Sequence, residues 1–93
     1  MRSGEPYAVV LGPSAHRLYK KFHSALQDRI RSPYDAPPLH PPFEGLRSYH
    51  FQFRNTQYRI AYRIHEDKRQ VEIVLVKSRE GFYEVLGRLI RQR

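Results

Sequence analysis

The chain has 93 residues and carries 17 lysine and arginine residues against 9 acidic ones, a formal net charge of +8. This length fits one small domain over residues 1–93, and this charge favours nucleic acid or an acidic protein as the partner. Cysteine is absent, which excludes disulfides, thiolate nucleophiles and cysteine-based zinc sites. The longest apolar run, residues 7–11, is too short for a membrane span, so we expect a cytoplasmic protein with no membrane partner.

The first half of the chain predicts a strand, a helical region and a stiff connection. We expect residues 1–6 to form a loose leader, and the apolar run at 7–11 predicts a buried strand that ends at a Gly-Pro pair. At about 13–32 the apolar residues recur with a helical period, which predicts a helix packed on one face of a sheet. A single helix is favoured, although two shorter helices also fit. Five of the seven prolines lie within residues 33–46, which predicts a connection with too few backbone donors for a helix or central strand.

The second half predicts a meander of three strands followed by a helix. The first two strands alternate apolar and polar residues, and the third is apolar on both faces, as a central strand is. Because the loops at 54–57 and 65–70 are short, the three strands should be antiparallel neighbours. The fold class is therefore α+β, a small twisted and mainly antiparallel four-stranded sheet with the N-terminal helix packed on one face and a C-terminal helix. The predicted elements are strands near 7–11, 49–54, 58–65 and 71–77, and helices at about 13–32 and 81–92.

The polar face of the first two meander strands carries no carboxylate. Its side chains are His50, Gln52, Arg54, Arg59 and Arg63, a set that attracts phosphate. On an arbitrary basic domain such arginines are as often solvated charges, so this pattern alone leaves the function open. The aromatic residues of the same strands belong to the buried face by their parity. The five histidines show no ligand spacing, so we expect no metal site.

Three short motifs accompany this order of elements, one before the meander, one within it and one after it. They are Phe43-x-Gly45-Leu46, Tyr58-Arg59-Ile60-x-Tyr62 and Arg79-x-x-x-Tyr83. Together they resemble the RelE/ParE toxin superfamily of type II toxin–antitoxin pairs, over nearly the whole chain from residue 7 to about 90. The resemblance implies a RelE-like microbial RNase fold. It also implies a small, acidic cognate antitoxin that wraps the toxin, with operator DNA bound only through that antitoxin.

The resemblance implies one of two activities. RelE-like members cut messenger RNA in the ribosomal A site, whereas ParE-like members lack the cutting residues and poison DNA gyrase. Two lysines of RelE-like toxins correspond here to His50 and Gln52, while two arginines and a tyrosine correspond to Arg59, Arg79 and Tyr83. The three matches favour a RelE-like messenger-RNA endonuclease that inhibits translation. The two missing lysines favour the alternatives, a gyrase inhibitor without nuclease activity or an inactive toxin-like co-repressor.

The RelE-like activity implies cleavage by attack of the ribose 2′-hydroxyl, with no metal and no cofactor. We expect Arg59 and Arg79 to stabilise the phosphate charge, because a guanidinium can hold two phosphate oxygens at once. His50, with an ordinary pKa of about 6.5 that nearby arginines should lower, is expected to act as the base. Tyr83 is expected to act in proton transfer or substrate positioning. The expected substrate-binding residues are Gln52, Arg54, Arg63 and Lys77, and the expected partners are the antitoxin, the ribosome and messenger RNA.

Overall fold

The computed structural model describes residues 7–12, 15, 19, 20, 22 and 33–91. These residues form four strands and a C-terminal helix, together with two short 3-10 turns. The elements are β1 (Ala8–Leu11), β2 (Arg47–Phe53), β3 (Thr56–His65), β4 (Gln70–Ser78) and α1 (Phe82–Arg91), with the turns at Pro33–Asp35 and Glu66–Lys68. The predicted leader at 1–6 and most of the predicted helix at 13–32 lie outside the described residues.

The four strands form one mixed sheet in the order β1-β4-β3-β2. β1 runs parallel to β4, whereas β3 is antiparallel to both of its neighbours. The central position of β4 explains its apolar sequence, because Ile73 is buried on one face of the sheet and Leu75 on the other. The predicted α+β sheet is therefore confirmed, with strand limits that differ from the predicted ones by at most two residues.

A two-residue turn joins β2 to β3. Arg54 and Asn55 both have positive φ angles, 51° and 66°. Consecutive residues in this left-handed conformation match the twist of two antiparallel strands, and asparagine tolerates the conformation better than most residues. Thr56 and Gln57 belong to β3, so the loop predicted at 54–57 is two residues too long.

The first face of the sheet carries the larger core cluster. Tyr19 and Phe22 are both helical and both buried against this face, as the apolar stripe of the predicted helix requires. The ring centroid of Phe22 lies 4.9 Å from that of Phe53 and 4.7 Å from that of Tyr58. The aromatic residues of the meander therefore belong to the core, as their parity predicts, and do not form an exposed platform for bases.

The helix α1 packs on the second face of the sheet. Its residues Phe82 and Leu86 are buried in one cluster with Ala61 of β3 and Leu75 of β4. The helix therefore covers the middle of this face, and the polar ends of the strands lie beside the helix without being covered by it. In the described part of the chain, no helix has both the length and the apolarity that a membrane crossing requires.

A β-bulge adapts β4 to this arrangement. Ala61 pairs with Leu75, but its neighbour Tyr62 pairs with Ile73, so Val74 is an extra residue on β4. Val74 and Leu75 consequently both belong to the cluster beneath α1, which a regular strand would not allow.

The proline-rich connection lies along the edge of β2. The Arg47 guanidinium donates to the Ala36 carbonyl oxygen at 2.6 Å, and the buried Tyr62 hydroxyl donates to the Pro33 carbonyl oxygen. Burial raises the pKa of Tyr62 to about 12, so the hydroxyl keeps its proton for this bond. Side chains from the sheet therefore anchor the start of the connection, and a backbone bond of 3.4 Å from Ser48 N–H to the Pro37 carbonyl oxygen holds it along β2.

Candidate active site

Three polar side chains lie side by side across the second face of the sheet. His50 of β2 pairs directly with Arg59 of β3, and Arg59 pairs directly with Lys77 of β4. Directly opposed residues place their Cβ atoms about 5 Å apart and point their side chains to the same face. We call His50, Arg59 and Lys77 the cross-strand row. Along β3, Arg59 lies two residues from Ala61, which α1 covers, so the row borders the covered part of this face.

The first turn of α1 brings Tyr83 to the cross-strand row. The Nη1 atom of Arg59 donates a hydrogen bond of 2.8 Å to the Tyr83 hydroxyl oxygen, and the Arg59 Cζ atom lies 5.2 Å from the centre of the Tyr83 ring. Phe43 and Phe82 hold the ring on other sides, with centroid separations of 5.6 Å and 5.2 Å. Tyr83 is nevertheless 40% exposed, so a ligand on this face can reach its hydroxyl.

A second guanidinium approaches the same face from the end of β4. The backbone N–H of Arg79 donates to the Gln57 carbonyl oxygen at 2.9 Å, and its Nη1 atom donates to the Gln57 Oε1 atom at 3.4 Å. Gln57 lies two residues before Arg59 on β3, so both side chains point to the same face. Arg59 and Arg79 therefore belong to one surface, and Tyr83 touches the first of them.

The imidazole of His50 stands at the exposed end of the cross-strand row. Burial lowers the pKa of His50 below its ordinary value, and the charge of Arg59 directly opposite lowers it further. The neutral form is therefore the prevailing form at neutral pH, and it can accept a proton.

The remaining cation of the row, Lys77, is tied to the segment that precedes α1. Its Nζ atom donates to the Glu80 carbonyl oxygen at 2.9 Å. An ammonium group carries three hydrogens, so this bond leaves two for a ligand. Lys77 thereby combines a structural contact with a charge on the open face.

Two other predicted binding residues lie at the hairpin end of this surface. Gln52 is exposed and pairs directly with Gln57, so it faces the same side as the cross-strand row. Arg54 lies in the turn, with its Cζ atom 5.2 Å from the centre of the Phe53 ring. The structure thus places Gln52 beside the candidate site and Arg54 at its margin.

The structure does not bring Arg63 to this site. Glu72 of β4 lies opposite Arg63, with 3.5 Å between Arg63 Nη1 and Glu72 Oε1, and the same carboxylate oxygen lies 2.9 Å from His65 Nε2. The Ala61 position, covered by α1, separates Arg63 from Arg59. Arg63 therefore lies apart from the cross-strand row and beside a carboxylate that the third strand supplies, while its expected role in substrate binding stays a prediction.

Sequence reasoning also missed two residues that support the site. The loop predicted at 54–57 includes Gln57, but the alternation of β3, extended back by two residues from Arg59, places Gln57 on the polar face. Phe43 contacts Tyr83 from the connection, a contact between distant segments for which the local pattern gave no signal. Among the described residues, no group of three or more metal-binding side chains is present.

A four-stranded mixed sheet with a C-terminal helix packed on one face is a RelE-like α+β fold, and here the helix brings a tyrosine to the cross-strand row. The family model for the ParE-like toxin of type II bacterial toxin–antitoxin systems matches residues 9–87. The chain belongs to this family and so to the RelE/ParE superfamily of type II toxins.

One solved structure supports the same assignment, and two others share the fold. The chain is similar to the toxin–antitoxin complex RelBE2 from Mycobacterium tuberculosis, with 30% identity, a TM-score of 0.62 and coverage of 82% of this chain and 94% of that one. It also resembles a double mutant of the E. coli toxin RelE in the free state, with 16% identity, a TM-score of 0.65 and coverage of 95% and 98%. The isolated E. coli RelE toxin matches with 15% identity, a TM-score of 0.54 and coverage of 89% and 98%. A search of curated proteins returned no match.

Proposed function

We propose that this toxin is a ribosome-dependent endonuclease that cuts messenger RNA in the A site without a metal ion. The observation that carries the proposal is the 2.8 Å hydrogen bond from Arg59 to the Tyr83 hydroxyl, with His50 directly across the sheet from Arg59. This arrangement brings an imidazole, a guanidinium and a phenol to one open surface, which supports the proposal. The proposed partners are the ribosome with its message and an acidic antitoxin that keeps the toxin inactive in the cytoplasm.

The proposed reaction is a transesterification within the RNA strand. The 2′-oxygen bonds to phosphorus while the bond from phosphorus to the 5′-oxygen breaks, which yields a 2′,3′-cyclic phosphate and a 5′-hydroxyl. The neutral imidazole of His50 takes the 2′-proton, a role that its lowered pKa favours. The guanidiniums of Arg59 and Arg79 and the ammonium of Lys77 stabilise the charge that accumulates on the phosphate oxygens.

Tyr83 is the proposed donor to the departing 5′-oxygen. Its hydroxyl oxygen accepts a hydrogen bond from Arg59, so its own proton is free to be donated elsewhere. After that transfer, the same Arg59 contact would stabilise the phenolate left behind. The ring contacts with Phe43 and Phe82 keep the hydroxyl in place, and they favour this polar role over stacking on a base.

Brief expression of the toxin, followed by mapping of the 5′ ends of cellular messages, tests the proposal. We expect new ends within translated codons for the wild type and none for Arg59→Ala. Lys68→Ala removes an equal charge from the exposed turn at the far end of β3 and should cut normally. Circular dichroism should show that both variants are folded. Intact messages with the wild-type protein would overturn the proposal.

A gyrase inhibitor is the second candidate function. The matching family is described as ParE-like, and His50 and Gln52 stand where RelE-like toxins carry lysines. A supercoiling assay with purified gyrase distinguishes the two functions. Blocked supercoiling together with intact messages would favour gyrase inhibition. The absence of both cleavage and blocked supercoiling would favour an inactive co-repressor.

A further inference from the structure

We infer that Gln57 is a positioning residue that holds the Arg79 guanidinium on the face of the sheet that carries the cross-strand row. The inference rests on the proposed function, because it assigns to Arg79 a phosphate-binding role in RNA cleavage. Gln57 itself is assigned no contact with the RNA. Its contribution is to fix where the positive charge of Arg79 lies.

Two separate hydrogen bonds join Gln57 to Arg79, one through the backbone and one through the side chain. The backbone bond of 2.9 Å, from Arg79 N–H to the Gln57 carbonyl oxygen, fixes the path of the chain after β4. The side-chain bond of 3.4 Å, from Nη1 to Oε1, orients the guanidinium. A substitution at residue 57 removes only the second contact, so the fold can be kept while the orientation is lost.

The need for such a contact follows from the position of Arg79. Arg59 has a rigid neighbour in Tyr83, whereas Arg79 lies beyond the end of β4 and is exposed. A long exposed side chain samples many rotamers, and ordering it during the reaction would cost entropy. A hydrogen bond formed before RNA binds reduces that cost, which is the general benefit of preorganisation in a charged site.

The chemistry of the glutamine side chain suits this task. Its amide oxygen accepts from the guanidinium without neutralising the positive charge, so Arg79 keeps four further N–H groups for phosphate. A glutamate at this position would also hold the guanidinium, but its negative charge would compete with the phosphate and repel it. A methionine would keep a side chain of similar length and remove the strong acceptor.

These differences define the test, which measures cleavage of ribosome-bound message by purified variants under single-turnover conditions. Gln57→Met should lower the maximal cleavage rate roughly tenfold, because orientation matters most in the transition state. The toxin concentration that gives half of the maximal rate should change little. Arg79→Ala should lower the maximal rate further. The double variant should match Arg79→Ala, since without Arg79 nothing remains for Gln57 to position. Gln57→Glu should be slower than Gln57→Met.

Thr56→Ala is the matched control, because Thr56 is the exposed neighbour of Gln57 on β3 and its side chain points to the opposite face. It should cut at the wild-type rate, and thermal unfolding should show unchanged stability for every variant at position 57. Wild-type activity of Gln57→Met beside an impaired Arg79→Ala would overturn the inference and leave the proposed function standing. A double variant slower than Arg79→Ala would also overturn it. Absence of cleavage by the wild-type toxin would instead overturn the proposed function.

Discussion

Replacement of Tyr83 by phenylalanine separates the chemical role of this residue from its packing role. Tyr83→Phe removes one oxygen atom and keeps the ring that contacts Phe43 and Phe82. The only hydrogen bond lost among those described for this hydroxyl is the 2.8 Å contact with Arg59. The variant is therefore close to a pure deletion of the proposed proton donor.

Stability and activity should respond to this change by very different amounts. An intramolecular hydrogen bond contributes about 1 kcal/mol net, and Tyr83 is 40% exposed, so water can replace it and the free energy of unfolding should fall by less than about 1 kcal/mol. A positioned general acid typically contributes about 10²–10⁴-fold to a rate, which corresponds to about 3–5 kcal/mol of transition-state stabilisation. The cleavage rate should therefore fall at least about 100-fold while the fold is nearly unaffected.

Single-turnover cleavage on programmed ribosomes and urea denaturation measure the two quantities. Tyr83→Ala provides the comparison, because it removes the ring as well and should lose stability in addition. If Tyr83→Phe cuts at the wild-type rate while Tyr83→Ala does not, the residue acts through its ring and the assignment of the hydroxyl as proton donor is refuted.

Four further predictions concern stability and pH. Tyr62→Phe should lower the free energy of unfolding by about 1–3 kcal/mol, because it leaves the Pro33 carbonyl oxygen without its buried donor, and an unchanged urea midpoint would contradict this. Gly87→Ala should raise the melting temperature by an amount that corresponds to about 0.5–1 kcal/mol of unfolding free energy, because among the described residues a Cβ there meets only the flexible end of Arg91, at 3.4 Å. A lower melting temperature would show that this contact cannot relax. Cleavage should be independent of pH near neutrality and should decrease as His50 becomes protonated below pH 6.5, and a profile that still rises above pH 7 would exclude His50 as the base. Because the pKa of His50 is lowered in the folded state, protonation of His50 favours the unfolded state. The contribution of His50 to the free energy of unfolding should therefore decrease as the pH falls below 6.5.

Much of the fold could be predicted because local patterns and tertiary packing agree. The alternation in the meander places Phe53 and Tyr58 in the core, where they meet Phe22. The apolar character of residues 71–76 on both faces predicts the central place of β4. The β-bulge at Val74 was not predictable, because it depends on the register between β3 and β4, and an apolar run does not show which of its residues is left unpaired.

The candidate site was predictable where it depends on strand parity and not where it depends on pairing between strands. Parity placed His50 and Arg59 on one face, and the structure adds that they are directly opposed. The sequence could not show that Glu72 lies opposite Arg63 or that Gln57 meets Arg79, because each contact depends on the register between β3 and the segment that begins with β4. A shift of two residues in that register would give Arg63 and Gln57 other partners, while every side chain would stay on the same face of the sheet.

The register also resolves the apparent shortage of charge in the proposed nuclease site. His50 and Gln52 replace two lysines of the RelE-like pattern, but Lys77 of β4 stands on the other side of Arg59 and supplies an ammonium from a different strand. Since a phosphate responds to the positions of charges and not to the strands that carry them, three cations at 59, 77 and 79 would remain to stabilise the proposed reaction. The exchange of lysine for His50 then changes the proton chemistry more than the electrostatics. A lysine ammonium must first lose a proton before it can act as a base, whereas an imidazole with a lowered pKa is already neutral. Acidification should therefore weaken the proposed cleavage through protonation of the base itself.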